Sequence, residues 1–129
     1  MIVVDTNVIS YLLIRGERSE AMDRLLENDS EWVAPRLWLG EFLNVLATYE
    51  RIGKFDSVQT NELLGDALAL MQDASYEIRP ERILAVARRT SCSAYDSQYI
   101  ALAEDLGLKF YTCDQKILKN CAGLAIEPT

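Results

Sequence analysis

The sequence predicts an α/β fold, a three-layer α/β/α sandwich with a mainly parallel sheet, occupying residues 1–129 as a single domain. Three observations point there. Short β-branched and aromatic runs alternate with longer stretches of helical spacing along the whole chain. Strands separated by helices need crossovers, which parallel pairing provides. A chain of 129 residues, half of them hydrophobic and without repeats or a linker, suits one core.

The elements follow in order. Met1 to Val4 is a β-branched strand, after which Thr6 or Asn7 caps a helix to about Leu13. Glu17 to Asn28 has helical spacing through Ala21, Met22, Leu25 and Leu26, and Glu31 to Ala34 is a brief strand. Pro35 stands just ahead of a helix that runs to about Ile52 and stops at Gly53. Asp56 caps the next helix, through Met71; Tyr76 to Ile78 is a weak strand; and Pro80 starts a helix to Thr90. A helix from Tyr95 to Leu106 ends at Gly107. Lys109 to Thr112 is a strand, Gln115 to Lys119 a short helix and Leu124 to Ile126 a last strand.

Composition narrows the chemistry. There is no histidine, so Ser-His-Asp and Cys-His catalysis are excluded, as is RNA cleavage by a histidine pair. Hydrolysis must rest on carboxylates, lysines, tyrosines or metals. Cys92, Cys113 and Cys121 form no C-x-x-C pair and read as reduced thiols, not zinc ligands. The net charge of −7, from 20 acids against 13 bases, argues against a broad nonspecific nucleic-acid binder. It suits a local acidic site that holds cations, and a basic protein partner. No run approaches the roughly 20 apolar residues of a membrane span. The N-terminus lacks the basic start and longer apolar run of a secretory signal, so a cytoplasmic protein is expected.

Four carboxylates stand out by position. Asp5 ends the first strand and Asp114 follows the Phe110-Tyr111-Thr112 strand. Each suits a helix cap, and each also falls outside the carboxyl end of a strand, where ligands collect in open α/β sheets. At about 100° per residue, Trp38, Phe42, Val45, Leu46 and Tyr49 form an apolar stripe with Glu41 on its margin. Tyr95, Tyr99, Leu102, Ala103 and Leu106 form another, with Ser97 on the opposite side. Asp96 projects into that apolar arc, where an unpaired carboxylate is costly unless a metal or hydrogen-bond donors relieve it. Hard divalent cations, Mg²⁺ or Mn²⁺, prefer such oxygen ligands and can activate a water against a phosphodiester.

At this point the residues resemble the PIN-domain nucleases. Asp5-Thr6-Asn7 looks like their opening, Pro35 to Gly53 with Glu41 and Asn44-Val45-Leu46 like their second acidic block, and Ser93 to Ala103 like their third. Thr112-Cys113-Asp114 looks like the fourth. Order, spacing and chain length are similar to the VapC-type toxins. The resemblance implies Asp5, Glu41, Asp96 and Asp114 as catalytic metal ligands, direct or through water, with Thr6 and Thr112 as supporting hydroxyls. It implies Mg²⁺- or Mn²⁺-dependent endonucleolytic RNA cleavage, a homodimer, and a cognate antitoxin that covers the site. Ser97 stands where the family commonly has alanine.

Basic residues for an RNA contact are Arg15, Arg36, Lys54, Arg88, Arg89, Lys116 and Lys119, with Arg15 and Arg36 expected nearest the site. Tyr95, Tyr99 and Trp38 can stack on bases, but their spacing favours core packing. The competing readings are a structure-specific DNA nuclease, a metal phosphatase and a non-catalytic partner-binding module of the same fold. An aspartyl-phosphate phosphatase would want Asp-x-Asp at the first motif, where Asn7 stands instead.

Overall fold

A computed structural model describes residues 1–129. Its five strands are β1 (Ile2–Val4), β2 (Trp32–Pro35), β3 (Ser75–Tyr76), β4 (Phe110–Tyr111) and β5 (Ala125–Ile126). They form one sheet in the order β3-β2-β1-β4-β5, and every pairing is parallel. The helices are α1 (Thr6–Leu13), α2 (Ser19–Asn28), α3 (Leu37–Arg51), α4 (Ser57–Leu70), α5 (Pro80–Thr90), α6 (Ala94–Leu106) and α7 (Gln115–Asn120).

Topology sorts these helices into layers. The chain moves from β1 to β2 to β3 in one direction, then returns across the sheet to β4 and continues to β5. Right-handed crossovers therefore put α1–α4 on one face and α5–α7 on the other. The packing agrees: α1 touches α2, α3 and α4, while α6 lies on α5 and spans β1, β2 and β4. Central β1 is covered on both faces, with Val3 and Val4 fully buried, as a parallel strand between two helical layers must be. The direction of winding reverses between β1 and β4. Outside the carboxyl ends of those two strands an open α/β sheet leaves a crevice.

The helix bounds expected from sequence agree with the observed ones to within two residues at nearly every end. Asp56 caps α4 through a reciprocal box with Gln59, and Gly107 closes α6 in a left-handed conformation (φ 66°). Pro35 belongs to β2, not to the turn before α3. Its flanking residues, Ala34 and Arg36, donate to the carbonyls of Ala74 and Tyr76 on the β3 side. Proline's missing donor falls toward β1, which has already turned into α1 at Asp5.

The expected face of α6 needs correction. Tyr95 is 63% exposed and Leu106 42%, whereas Ser97 is fully buried. The covered part is the centre of the helix, Ser97 and Tyr99 to Ala103, pressed between α5 and the sheet. Both ends overhang the sheet, so a stripe extrapolated along the whole helix fails there. A small residue at 97 lets the helix sit against its neighbours, although the Ser97 hydroxyl finds no partner.

Candidate active site

Asp5, Glu41, Asp96 and Asp114 line one pocket of about 740 Å³ at the carboxyl edge of the sheet, together with Thr6, Asn7, Ser10 and Asn44. Three local rules deliver the four acids. Asp5 follows β1 and caps α1, its Oδ1 accepting from the Thr6 amide at 2.8 Å. Asp114 follows β4 and caps α7, its Oδ1 accepting from the Ile117 amide at 3.0 Å. Asp96 sits in the first turn of α6, whose cap Ser93 accepts its amide. Glu41 comes from the middle of α3, at the edge of the face that buries Trp38, Phe42 and Leu46. Capping and pocket lining are not alternatives here: one carboxylate oxygen of Asp5 and of Asp114 holds a helix start while the residue still faces the crevice.

Two hydroxyls tie the acids together. Thr112, fully buried, donates to Asp5 Oδ2 at 2.8 Å and accepts the Asp114 amide at 3.0 Å. One side chain thus bridges the β1 and β4 ends of the switch point, where the Asp5 amide also donates to the Tyr111 carbonyl at 3.0 Å. Thr6 lies 3.1 Å from Glu41 Oε1 and 2.7 Å from the Tyr99 hydroxyl, and Tyr99 donates to the same Oε1 at 2.6 Å. Tyr99 is itself buried and stacked on Phe110 of β4, 5.6 Å between centroids at 11°. Its phenol is held well above its ordinary pKa by burial and by the Glu41 charge, so it stays a donor. Asn7 adds weaker bonds, from Nδ2 to Asp5 Oδ2 and from the Cys113 amide to Oδ1, both at 3.4 Å.

The electrostatics are those of crowded carboxylates. Burial, then the charges of Glu41 and Asp96, push Asp5 up to about 7, against the bonds from Thr112 and Thr6. Asp96 is also raised, by partial burial and the Asp114 charge first and Glu41 after, with Lys116 offsetting only a little. No arginine or lysine forms an ion pair with any of the four.

An oxygen-only set of four carboxylates fits a hard divalent cation and fits zinc or a soft metal poorly. Burial first, and neighbouring carboxylates after it, raise Asp5 and Asp96, and a bound cation would offset both. The acids ring the pocket, and no three of them converge closely enough to ligate one ion as they stand. Asp5 Oδ2, Glu41 Oε1 and the Oδ1 atoms of Asp5 and Asp114 carry the protein's own hydrogen bonds. The remaining oxygens are left for ligands.

Of the basic residues expected near the site, Arg36 pairs with exposed Glu77 outside the pocket, and Arg15 pairs with Asp23 beside a second, adjoining cleft. Arg18 also lines that cleft, and no periodic signal in the sequence singles it out. Tyr99 and Trp38 are core residues as their spacing predicts, while Tyr95 stands at the pocket mouth. The pairing of Tyr99 with Glu41 joins residues 58 positions apart and leaves no trace in either helix's pattern.

A family model described as PIN domain matches residues 2–123. Ribonuclease VapC3 of Pyrobaculum aerophilum is 27% identical over 126 residues, 95% of this chain and 96% of that one. The crystal structure of PAE2754 from Pyrobaculum aerophilum superposes with a TM-score of 0.76 at 22% identity, covering 96% of this chain and 81% of that one. FitAcB from Neisseria gonorrhoeae gives 0.73 at 20% identity over 99% and 98% of the two chains. A toxin–antitoxin complex from Klebsiella pneumoniae gives 0.65 at 18% identity over 100% and 98%.

Proposed function

Because the chain belongs to the PIN-domain family, we propose that it is a divalent-metal-dependent endoribonuclease acting as the toxin of a toxin–antitoxin pair. One observation carries the reading. Four carboxylates from four separate elements line one pocket at the switch point of the sheet, with no cation paired to any of them. Kinship with a ribonuclease over almost the whole chain supports the substrate class. The Klebsiella pneumoniae neighbour supports an antitoxin partner, and a pocket this acidic suits basic side chains offered by one.

Asp5, Glu41, Asp96 and Asp114 would hold Mg²⁺ or Mn²⁺, directly or through water. Such an ion, when bound, supplies a water of lowered pKa and charge to offset the phosphodiester. The chain's own residues do the positioning. Thr112 fixes Asp5 Oδ2 and keeps that carboxylate ionisable against its burial. Tyr99 and Thr6 hold Glu41 Oε1, which orients the carboxylate toward the pocket. Tyr95, exposed at the mouth, offers a ring on which a base can stack.

The test is Asp96→Asn, a half-buried position where the amide keeps size and shape. Its melting temperature should stay within about 2 °C of wild type, while Mn²⁺-dependent cleavage of RNA falls at least about 100-fold. Cleavage at the wild-type rate would remove Asp96 from the chemistry. Parallel incubations with RNA, DNA and a phosphomonoester separate the ribonuclease from a DNA nuclease or a phosphatase. A chain that binds no Mn²⁺ at millimolar concentration would instead be a non-catalytic module.

A further inference from the structure

Beside the acidic pocket lies a second cleft of about 270 Å³ with the opposite electrostatic character. Arg15, Arg18 and Lys54 line it, with Glu17 as the lining acid, and it shares Ser10, Tyr11 and Tyr49 with the acidic pocket. Arg15 is already committed to Asp23 through two bonds of 2.9 and 2.6 Å. Arg18 and Lys54 have no ion-pair partner. Each is instead laid over an aromatic wall: the Arg18 guanidinium 5.2 Å from the Tyr11 centroid, and Lys54 Nζ 4.6 Å from that of Tyr49. Arg18 also stands beside the Cys113 sulfur, one residue before Asp114, and partly offsets the rise that burial imposes on that thiol.

Ser10, only 8% exposed, forms part of the wall between the two cavities, with its Oγ buried and without a hydrogen-bond partner. In a chain of net charge −7, two unpaired cations laid over aromatic rings in one cleft make a locally positive surface beside the acidic one. Cations combined with aromatic platforms are how single-stranded nucleic acid is tracked without reading its sequence.

We propose that this cleft seats the phosphodiester neighbouring the one cleaved. Arg18 and Lys54 grip its oxygens, and Tyr11 and Tyr49 flank the adjoining sugar or base. The assignment rests on the reading of the acidic pocket as a ribonuclease site, and it names how that site recruits its strand despite the overall negative charge.

The experiment combines cleavage kinetics with equilibrium binding of a fluorescent single-stranded RNA oligonucleotide to the full chain, at several salt concentrations. Both cations are exposed, so Arg18→Ala/Lys54→Ala should fold as wild type. It should raise KM for RNA about tenfold or more, with kcat at saturation lowered less than KM is raised. The slope of log affinity against log salt should fall by about 0.7, the loss of one neutralised phosphate on a single strand. Arg18→Lys should restore much of the loss. Ser10→Ala removes a buried, unpartnered hydroxyl from the wall between the cavities, so it should melt no lower than wild type and bind RNA within about twofold of it, which separates the cations from the wall behind them.

An unchanged KM and salt slope in a double variant that still cuts RNA would overturn the cleft while leaving the nuclease standing. Salt-dependent binding lost in the double variant, from a wild type that cuts nothing, would keep the cleft and overturn the nuclease. A wild type that binds no RNA, or an acidic peptide that occupies the cleft in its place, would overturn the phosphodiester assignment.

Discussion

On the outer surface of α5 and α6, acids and bases meet in pairs: Arg82 contacts Asp105 at 2.7 Å and Glu104 at 3.3 Å, and Arg89 contacts Glu104 at 2.6 Å. At the carboxyl edge of the sheet, Asp5, Glu41, Asp96 and Asp114 line one pocket with no arginine or lysine paired to them, and Asp5 and Asp96 are pushed up by burial first and by neighbouring carboxylates after it. The two groups use the same residue types, and α6 carries members of both. The difference lies in how each is balanced. The surface acids are neutralised by flexible cations in water, which contributes little and chooses nothing. The edge acids are held by hydroxyls and backbone amides that fix position without cancelling charge. That leaves an unbalanced negative field which only something from outside can complete, and it separates a site from a solvated charged face.

The largest expected effect breaks the edge side of this comparison. Asp114→Asn should lower Mn²⁺-dependent RNA cleavage by about 100-fold or more, measured as initial rate at saturating RNA. Glu104→Gln should leave the rate within about twofold, because its charge is already spent on two arginines. Equal losses in both variants would mean that the edge acids act only through the overall charge of the chain.

Thr112→Val sharpens the same contrast by removing the bridge and leaving the acids. Valine keeps the shape of threonine but leaves Asp5 Oδ2 without its 2.8 Å donor, in a buried place, and the half-buried Asp114 amide without its acceptor. A stability loss of about 1–3 kcal/mol is expected from such unsatisfied groups, read by denaturant unfolding without metal. Cleavage should fall too, since both capping acids lose their register. Unfolding at the wild-type midpoint would show that the switch point does not depend on this hydroxyl.

These two predictions draw on different depths of legibility. Asp5, Asp96 and Asp114 stand at strand ends and helix starts, and Glu41 borders an apolar stripe; periodicity locates them there, while capping explains Asp5 and Asp114 equally well, and the ordered resemblance to PIN nucleases is what picks the four out together. Thr112 enters only through that resemblance, as a supporting hydroxyl. What periodicity cannot show is which partner a side chain finds across the fold. Tyr99 reads as core, and it is core, yet its hydroxyl reaches Glu41 from another helix. Arg18 is exposed and carries no pattern at all, so its place beside the edge pocket emerges only once α1 and α2 are folded together. Tyr95 departs from its expected core position for the converse reason: the stripe on α6 runs on in sequence past the point where the sheet beneath it ends.

A smaller effect tests the unbalanced charge through pH. A carboxyl held up to about 7 favours its neutral form in the folded chain. Its stabilising share is therefore complete below the ordinary carboxylate range and is lost as pH rises from about 4 toward 7. Without metal, the wild type should lose melting temperature relative to Asp5→Asn by a few degrees between pH 5 and pH 8. Millimolar Mn²⁺ at pH 8 should raise the wild type and leave Asp5→Asn nearly unmoved. A difference between the two proteins that stays flat across pH, with and without Mn²⁺, would mean that Asp5 feels no excess of negative charge.

The smallest effect belongs to the paired surface. Glu104 joins Arg82 and Arg89 through a side chain still 29% exposed, and both arginines reach into water. Replacing it by glutamine keeps one acceptor for the arginines and removes a charge that solvent already screens. The melting temperature should fall by no more than about 3 °C, and less in 0.5 M salt than in 0.05 M. The same salt series applied to metal-free wild type should move the other way, because screening relieves the repulsion at the carboxyl edge. With Asp96→Asn run beside wild type to subtract the response of the chain's overall charge of −7, opposite responses from acids on a single helix are expected when Glu104 is balanced by its neighbours and Asp96 is not.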